Sequence, residues 1–400
     1  MSSIGSIAAN GSRQSPCVTG DAQCALSRYR RSRPDDLLLV DASILEECSV
    51  DALVSSGGYS SEAARETVRH LVDAERSGKS CHGLVRLPNL IANTFGFRRF
   101  DRPEPSRVAD SLLMFDGAGR PGLYVLAVMM ENAIEVTRRT GLCLALGRNI
   151  YPSGHLGGCG RRAAEAGLVA HIESTSPSRV TAPGHGRPYV GTNPICRAFP
   201  VSNGLPVVID LATSAITHGD LMLIEAGGGA LPADVAVRRD GSVAASINEL
   251  DLAREAGAIL PFGQRDAYKA FALALGVALQ TSYGGAAPAS PGGTGFGTSV
   301  LLFDPARLDA AGEEGRMRWL ATLGESEGVR IPGWTSVAAM RSFEAQGVIP
   351  VKRQLLNTLR PYLPGLDDAW PVATADADGT SACAGHRVVP AQSPRAAASV

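Results

Sequence analysis

Lysine is nearly missing from this chain. Only Lys79, Lys269 and Lys352 occur among 400 residues, so arginine carries almost all the basic charge. Charged residues amount to 19%, below the roughly 25% of an average soluble chain. The net charge of −1 excludes a protein that holds nucleic acid or an anionic membrane by bulk charge. The longest apolar runs, such as Leu123 to Met130, fall far short of the roughly 20 residues that span a membrane. Residues 1–35 contain no apolar core of the kind a secretory signal needs. Eight cysteines are present, none in a C-x-x-C pair. No His-x-x-x-His or mixed Cys/His spacing points to a metal. Together these absences predict a cytoplasmic protein with free thiols and no metal, with neither nucleic acid nor membrane as partner.

The rest of the composition predicts a substantial core. Hydrophobic residues make up 44% of a chain long enough for two ordinary domains. Residues 1–35, rich in Ser, Gly, Arg and Asn, and 372–400, rich in Ala, Ser, Pro and Asp, have too little apolar surface to offset ordering entropy and are expected to be disordered tails. In the body, Ser60-Ser61-Glu62 opens a helix with Ala63, Ala64, Val68, Leu71 and Val72 on one face, ending near Ser77-Gly78. From about residue 111 short apolar runs alternate with helical stretches. Strands are expected at 112–115, 142–146, 168–172, 206–210 and 300–303. Helices are expected at 123–140, 161–166, 267–280 and 316–323, and a Gly/Ala/Pro/Ser loop at 284–297. This is an α/β pattern.

Gly117-Ala118-Gly119-Arg120-Pro121-Gly122 fits G-x-G-x-x-G between a predicted strand and helix, the arrangement of a dinucleotide fingerprint. Pro121 is unusual in a turn that must present amides to a pyrophosphate. The next strand ends in Gly147-Arg148, with no acid for a ribose, although an arginine suits a 2′-phosphate. A structural turn is the simpler reading.

Three histidines stand beside small residues rather than on apolar faces: His82 in Ser80-Cys81-His82-Gly83, His155 in Ser153-Gly154-His155, and His218 in His218-Gly219-Asp220. A histidine can relay the proton that accompanies a hydride. Arg86, four residues after His82, can hold a carboxylate bidentately. Asp220 can orient an imidazole, and Cys81 is a candidate nucleophile. Taken singly, each histidine is better read as a satisfied structural residue.

In their order along the chain these motifs resemble the malate/L-lactate dehydrogenase family of NAD(P)-dependent oxidoreductases. The stretches concerned are 81–88, 153–157, Gly191-Thr192-Asn193-Pro194, 208–214, Leu260-Pro261-Phe262-Gly263, Phe303-Asp304-Pro305 and Arg330-Ile331-Pro332-Gly333. The resemblance implies a non-Rossmann α/β fold with a mixed sheet. A cofactor domain, 111–314, would be inserted into a partly helical discontinuous domain, 36–110 and 315–371, that binds substrate and dimerises. It also implies NADPH or NADH as cofactor and a homodimer. His82 matches the family's proton-relay histidine, and Arg86 the arginine that binds the substrate carboxylate. His155 matches a histidine that accepts the proton in some members and contacts cofactor in others. Thr192 matches a substrate contact of the ketimine reductases, and Asp220 their third relay member. Cofactor contacts are expected at His155, Gly157, Gly158, Asp210, Leu211, Ala212, His218, Arg330, Pro332 and Gly333. Two positions depart from the family. Cys81 replaces a serine, which makes Ser80 a substitute relay group, and Asp266 stands where a lysine is usual, with Lys269 nearby. The expected reaction is reduction of a small 2-imino carboxylate of the cyclic ketimine type. The alternatives are a 2-oxoacid/2-hydroxyacid dehydrogenase and a non-catalytic ligand-binding homologue.

Overall fold

The structure, a computed structural model, describes residues 37–202, 204–226, 229–250, 257–287, 295–308, 312–366 and 373–374. The strands in chain order are β1 (Leu37–Asp41), β2 (Ser106–Ala109), β3 (Leu112–Asp116), β4 (Leu142–Arg148), β5 (Val169–Ser174), β6 (Val180–Thr181) and β7 (Pro188–Val190). They continue as β8 (Ile195–Phe199), β9 (Val207–Leu211), β10 (Ala236–Arg238), β11 (Gly257–Ile259), β12 (Thr298–Phe303), β13 (Val348–Lys352) and β14 (Ala373–Thr374). The large sheet has the order β2-β3-β4-β12-β5-β8-β9. Only its β3–β4 pair is parallel; β12 runs antiparallel to both β4 and β5. This mixed sheet is not the doubly wound parallel sheet that a dinucleotide fingerprint requires.

The turn at 117–122 shows the same thing locally. Its amides are occupied by the protein: Gly117 N–H donates to Arg148 O at 2.9 Å, and Gly122 N–H to Tyr151 O at 3.2 Å. A Cβ on Gly117 would lie 2.0 Å from Asn149 O. Arg148 pairs with Asp116 at 2.9 Å. Gly117 and Gly122 serve close chain packing, and Gly119 supplies a positive φ of 79°.

Helix Ser61–Arg76 forms as its pattern predicts. The Ser60 hydroxyl accepts from Ala63 N–H, and Ala63, Ala64, Val68, Leu71 and Val72 are all buried. Each buried Val or Leu contributes on the order of 1.5–3 kcal/mol. Helix Gly122–Thr140 packs against β4 and β12, with Tyr124 wholly buried. One helix begins earlier than expected, at Leu156 rather than 161. Gly157, Gly158 and Gly160 disguise it, because glycine is a poor helix former. They are tolerated because the helix must approach its neighbours closely: a Cβ on Gly160 would lie 2.6 Å from Cys196 Sγ. Helix Ala42–Ser55 was not anticipated; its Asp41 cap accepts from Ile44 N–H.

A second sheet has the order β10-β11-β6-β7, and a third is β13-β1-β14. β1 pairs antiparallel with β13, Leu37 opposite Lys352 through Asp41 opposite Val348. Ala373–Thr374 pair with β1, so this part of the 372–400 tail is strand, drawn onto an apolar strand edge. The remainder of that tail, residues 1–35 and part of the 284–297 loop lie outside the described residues. Among the described residues no helix is long and apolar enough to cross a membrane, and no cluster of metal-ligating side chains occurs.

Candidate active site

Helix Ser61–Arg76 ends at Ser77, and Gly78 turns the chain with φ 70°. Two 3-10 turns, Ser80–His82 and Leu84–Arg86, follow. They place Cys81, His82 and Arg86 against the start of helix His218–Ala226. The approach is tight: a Cβ on Gly219 would lie 2.0 Å from Cys81 O and 3.0 Å from an Arg86 terminal nitrogen. Arg86 is only 7% exposed. It makes no ion pair among the described residues, and its Nε is buried without a hydrogen-bond partner. Nδ1 of His82 and Nδ1 of His218 are likewise buried and unpartnered. Burial, then the Arg86 charge, hold His82 well below its ordinary pKa. Burial, then Arg179 and Arg86, push His218 down to about 3.

Asp220 does not meet His82. Its carboxylate accepts from Thr217 N–H at 3.0 Å and Thr217 Oγ1–H at 2.6 Å. Its other neighbour is Cys81: burial, then the Asp220 charge, push that thiol up to about 12. The expected Asp220–His82 hydrogen bond is therefore absent, because Asp220 turns back to cap its own helix. A thiol this far from ionisation is no nucleophile at neutral pH, which corrects the catalytic reading of Cys81. Ser80 is no substitute relay group either, since its hydroxyl donates to Glu75 Oε2 at 2.6 Å. Thr192 belongs to a separate network: its Oγ1 lies 3.1 Å from Ser176 Oγ, and its carbonyl accepts from Thr213.

A second cluster surrounds His155, at the start of helix Leu156–Glu165. Its Nε2 is 3.3 Å from Asp210 Oδ2 and its Nδ1 3.8 Å from Asp73 Oδ2. Gly157 N–H also donates to Asp210 Oδ2, at 2.8 Å. The backbone N–H of His155 donates to His70 Nε2 at 2.8 Å, so that nitrogen carries no proton. Burial, then His155, push His70 down to about 3. Burial alone would raise Asp73, but His155 and the Arg161 guanidinium that pairs with it outweigh burial and hold the carboxyl well below its usual range. His70, Asp73 and Arg161 were missed in the sequence. His70 and Asp73 stand three residues apart on one helix, and that spacing is the only signal they leave.

Beside this cluster is a cavity of about 140 Å³ lined by residues that include Lys79, His155, Gly157, Gly158, Asp210, Arg330, Pro332 and Gly333. Leu211, Ala212 and His218 lie outside its lining. Val208 N–H donates to Pro332 O at 3.0 Å, and a Cβ on Gly333 would lie 2.7 Å from Val208 N. Glycine there lets 330–333 close against β9. A cavity of this size takes one segment of a dinucleotide rather than the whole. Glycine-lined walls, an acidic acceptor and two cations without an ion pair among the described residues, Lys79 and Arg330, fit a sugar–phosphate segment. Asp266 is not part of this cavity; it is half-buried and 3.3 Å from Lys269.

The model of the malate/L-lactate dehydrogenase family matches residues 40–360. The chain is 33% identical over 310 residues to the NADP⁺-dependent (2R)-3-sulfolactate dehydrogenase of Chromohalobacter salexigens, covering 75% of this chain and 90% of that one. It is 30% identical over 311 residues to the Δ¹-pyrroline-2-carboxylate/Δ¹-piperideine-2-carboxylate reductase of Pseudomonas aeruginosa, covering 72% and 90%. The crystal structure of Δ¹-piperideine-2-carboxylate reductase from Pseudomonas syringae superposes with a TM-score of 0.71 at 25% identity, over 81% of this chain and 99% of that one. With its mixed sheet and this extent of match, the chain belongs to the malate/L-lactate dehydrogenase family and is an NAD(P)-dependent oxidoreductase.

Proposed function

We propose that the chain reduces a small cyclic 2-imino carboxylate with NADPH or NADH. The observation that carries this reading is Arg86, buried and without a counter-ion among the described residues. A buried unpaired guanidinium is costly, and a substrate carboxylate held bidentately relieves that cost. The cofactor, when bound beside His155, Asp210 and Arg330, supplies a hydride for the substrate's α-carbon. His82 supplies the proton for the nitrogen. Burial, then Arg86, disfavours a charged His82 in the free site; a carboxylate on Arg86 cancels the second of these and makes protonation of His82 less costly. Thr192 contributes to substrate placement if its Ser176 partnership opens. His155, held between two carboxylates, serves the cofactor side.

A second reading, a 2-oxoacid or 2-hydroxyacid substrate, is favoured by two observations. Asp220 is not on His82, and Arg179 joins Arg86 near His218, which suits a substrate with a second acidic group. The exposed apolar face of helix Ala267–Ser282, with Tyr268, Leu275 and Leu279, followed by Tyr283, supports a homodimer. The β1–β13 pairing supports the discontinuous domain 36–110 and 315–371 around the cofactor domain 111–314. Cys81, Cys143, Cys159 and Cys196 form no disulfide, which suits a reducing cytoplasm.

NADPH and NADH consumption on cyclic imines and on 2-oxoacids tests the proposal. Imine turnover well above oxoacid turnover is expected. Oxoacid turnover alone would sink the imine reading in favour of the second.

A further inference from the structure

Glu75 is 1% exposed, carries a carboxylate, and has no part in the chemistry above. It sits on the last turn of helix Ser61–Arg76, directly beneath the two 3-10 turns. Its Oε2 accepts from Ser80 Oγ–H at 2.6 Å, and its Oε1 accepts from Leu84 N–H at 2.8 Å. These two donors bracket Cys81-His82-Gly83. Backbone bonds within the segment are local: His82 N–H to Lys79 O at 2.8 Å, Gly83 N–H to Ser80 O at 3.1 Å, and Arg86 N–H to Gly83 O at 3.1 Å. Gly83 is where the carboxylate comes closest. A Cβ there would lie 2.4 Å from Glu75 Oε1 and 2.6 Å from its Cδ, so the glycine between His82 and Leu84 leaves room for Glu75.

From this geometry we infer that Glu75 is the positioning residue of the site, clamping both ends of the turn that aims His82 and Arg86. The inference rests on the roles proposed for those two residues. The partners require an acceptor at this position. Leu84 N–H can only donate, and the carboxylate accepts from both sides at once, while the Ser80 hydroxyl could equally accept from an amide. Burial pushes Glu75 up to about 7, against the pull of Ser80, Leu84 and the Lys352 charge of β13. Keeping so costly a group buried is accounted for by what it holds.

Three variants of the full chain test this: Glu75→Gln, Glu75→Ala and Ser80→Ala. Glutamine keeps the acceptor for Leu84 and can donate to Ser80, so kcat/KM should stay within about threefold of the parent. Ser80→Ala removes one bond and should lower kcat/KM about tenfold. Glu75→Ala frees the turn and should lower it about 100-fold, the scale of a misplacement near 1 Å. KM should rise as kcat falls, because Arg86 and His82 shift together; a smaller folded fraction would scale kcat alone. Hydrogen–deuterium exchange supplies a readout independent of turnover. Exchange over residues 79–86 should quicken in both alanine variants and not in Glu75→Gln, while helix Gly122–Thr140 stays protected. Parent-like exchange over 79–86 in folded Ser80→Ala and Glu75→Ala would overturn the inference, as would a Gln variant as impaired as Ala. If the parent protein turns over no imine or oxoacid, the proposed function fails, and the exchange data still decide the role of Glu75.

Discussion

The two halves of the site solve opposite electrostatic problems. Around His82 the guanidinium is unanswered: Arg86 is buried without an ion pair among the described residues, and the neutral His82 and His218 each keep an unpartnered ring nitrogen. Around His155 the imidazole and Asp73 are answered within the protein, by Asp73, Asp210 and Arg161, although His155 Nδ1 and Arg161 Nε lack a hydrogen bond and Lys79 and Arg330 in the same cavity make no ion pair among the described residues. An imidazole already held beside two carboxylates is a preset platform. A site that leaves a buried guanidinium unpaired is incomplete without its ligand. This contrast is what the proposed function rests on when it puts the substrate's acid at Arg86 and the cofactor beside His155.

The contrast can be broken first at Arg86. Arg86→Lys keeps the charge and loses the two-pronged geometry; kcat/KM in a reductase assay should fall on the order of 100- to 1,000-fold, mostly through KM. An unchanged KM would remove the carboxylate from this pocket. His82→Gln should then lower kcat by about 100-fold or more with KM little changed, the range of a lost general acid. A small effect would move the proton to His155. On the other side, Asp210→Asn replaces one acceptor shared by His155 and Gly157. It should weaken NADPH binding about tenfold by calorimetry, while substrate KM is largely kept. Loss of substrate affinity with intact cofactor binding would reverse the assignment of the two halves.

The histidines allow a milder test through stability. His218 has a folded pKa of about 3 against about 6.5 when unfolded. As pH falls below about 6.5 the unfolded chain takes up a proton that the fold refuses, so stability is lost towards pH 3. In urea melts, His218→Asn should flatten the decline between pH 6.5 and 3 relative to the parent. A parallel curve would mean that His218 is open to solvent. The smallest effect is expected at Asp266. It is half-buried, pairs with Lys269 at 3.3 Å, and lies outside the proposed cofactor cavity, so Asp266→Asn should change NADPH affinity less than about twofold.

Much of the site was legible because the motifs are local. Ser60 through Val72 reads as a capped amphipathic helix and forms one. Cys81-His82-Gly83 and Arg86 lie within one turn of chain, so their proximity needs no tertiary knowledge. Gly157, Asp210 and Arg330–Gly333 came from resemblance alone, since 53 residues separate Gly157 from the Asp210 oxygen it bonds. Asp220 was misread for a related reason. Its neighbours in sequence suggested a partner for an imidazole, but Thr217, three residues away, captures the carboxylate.

By itself the sequence determined the α/β character, the capped helix that follows Ser60 and the candidate histidines and arginine. These depend on composition, periodicity and spacing over a few residues. Only the tertiary structure decided which charges are answered. Pairing and desolvation are set by groups far apart in the chain: Glu75 beneath the His82 turn, Asp73 beside His155, and nothing opposite Arg86 among the described residues. A side chain's chemistry can be read from its letter, but its electrostatic state is fixed only when folding removes water and brings its neighbours in.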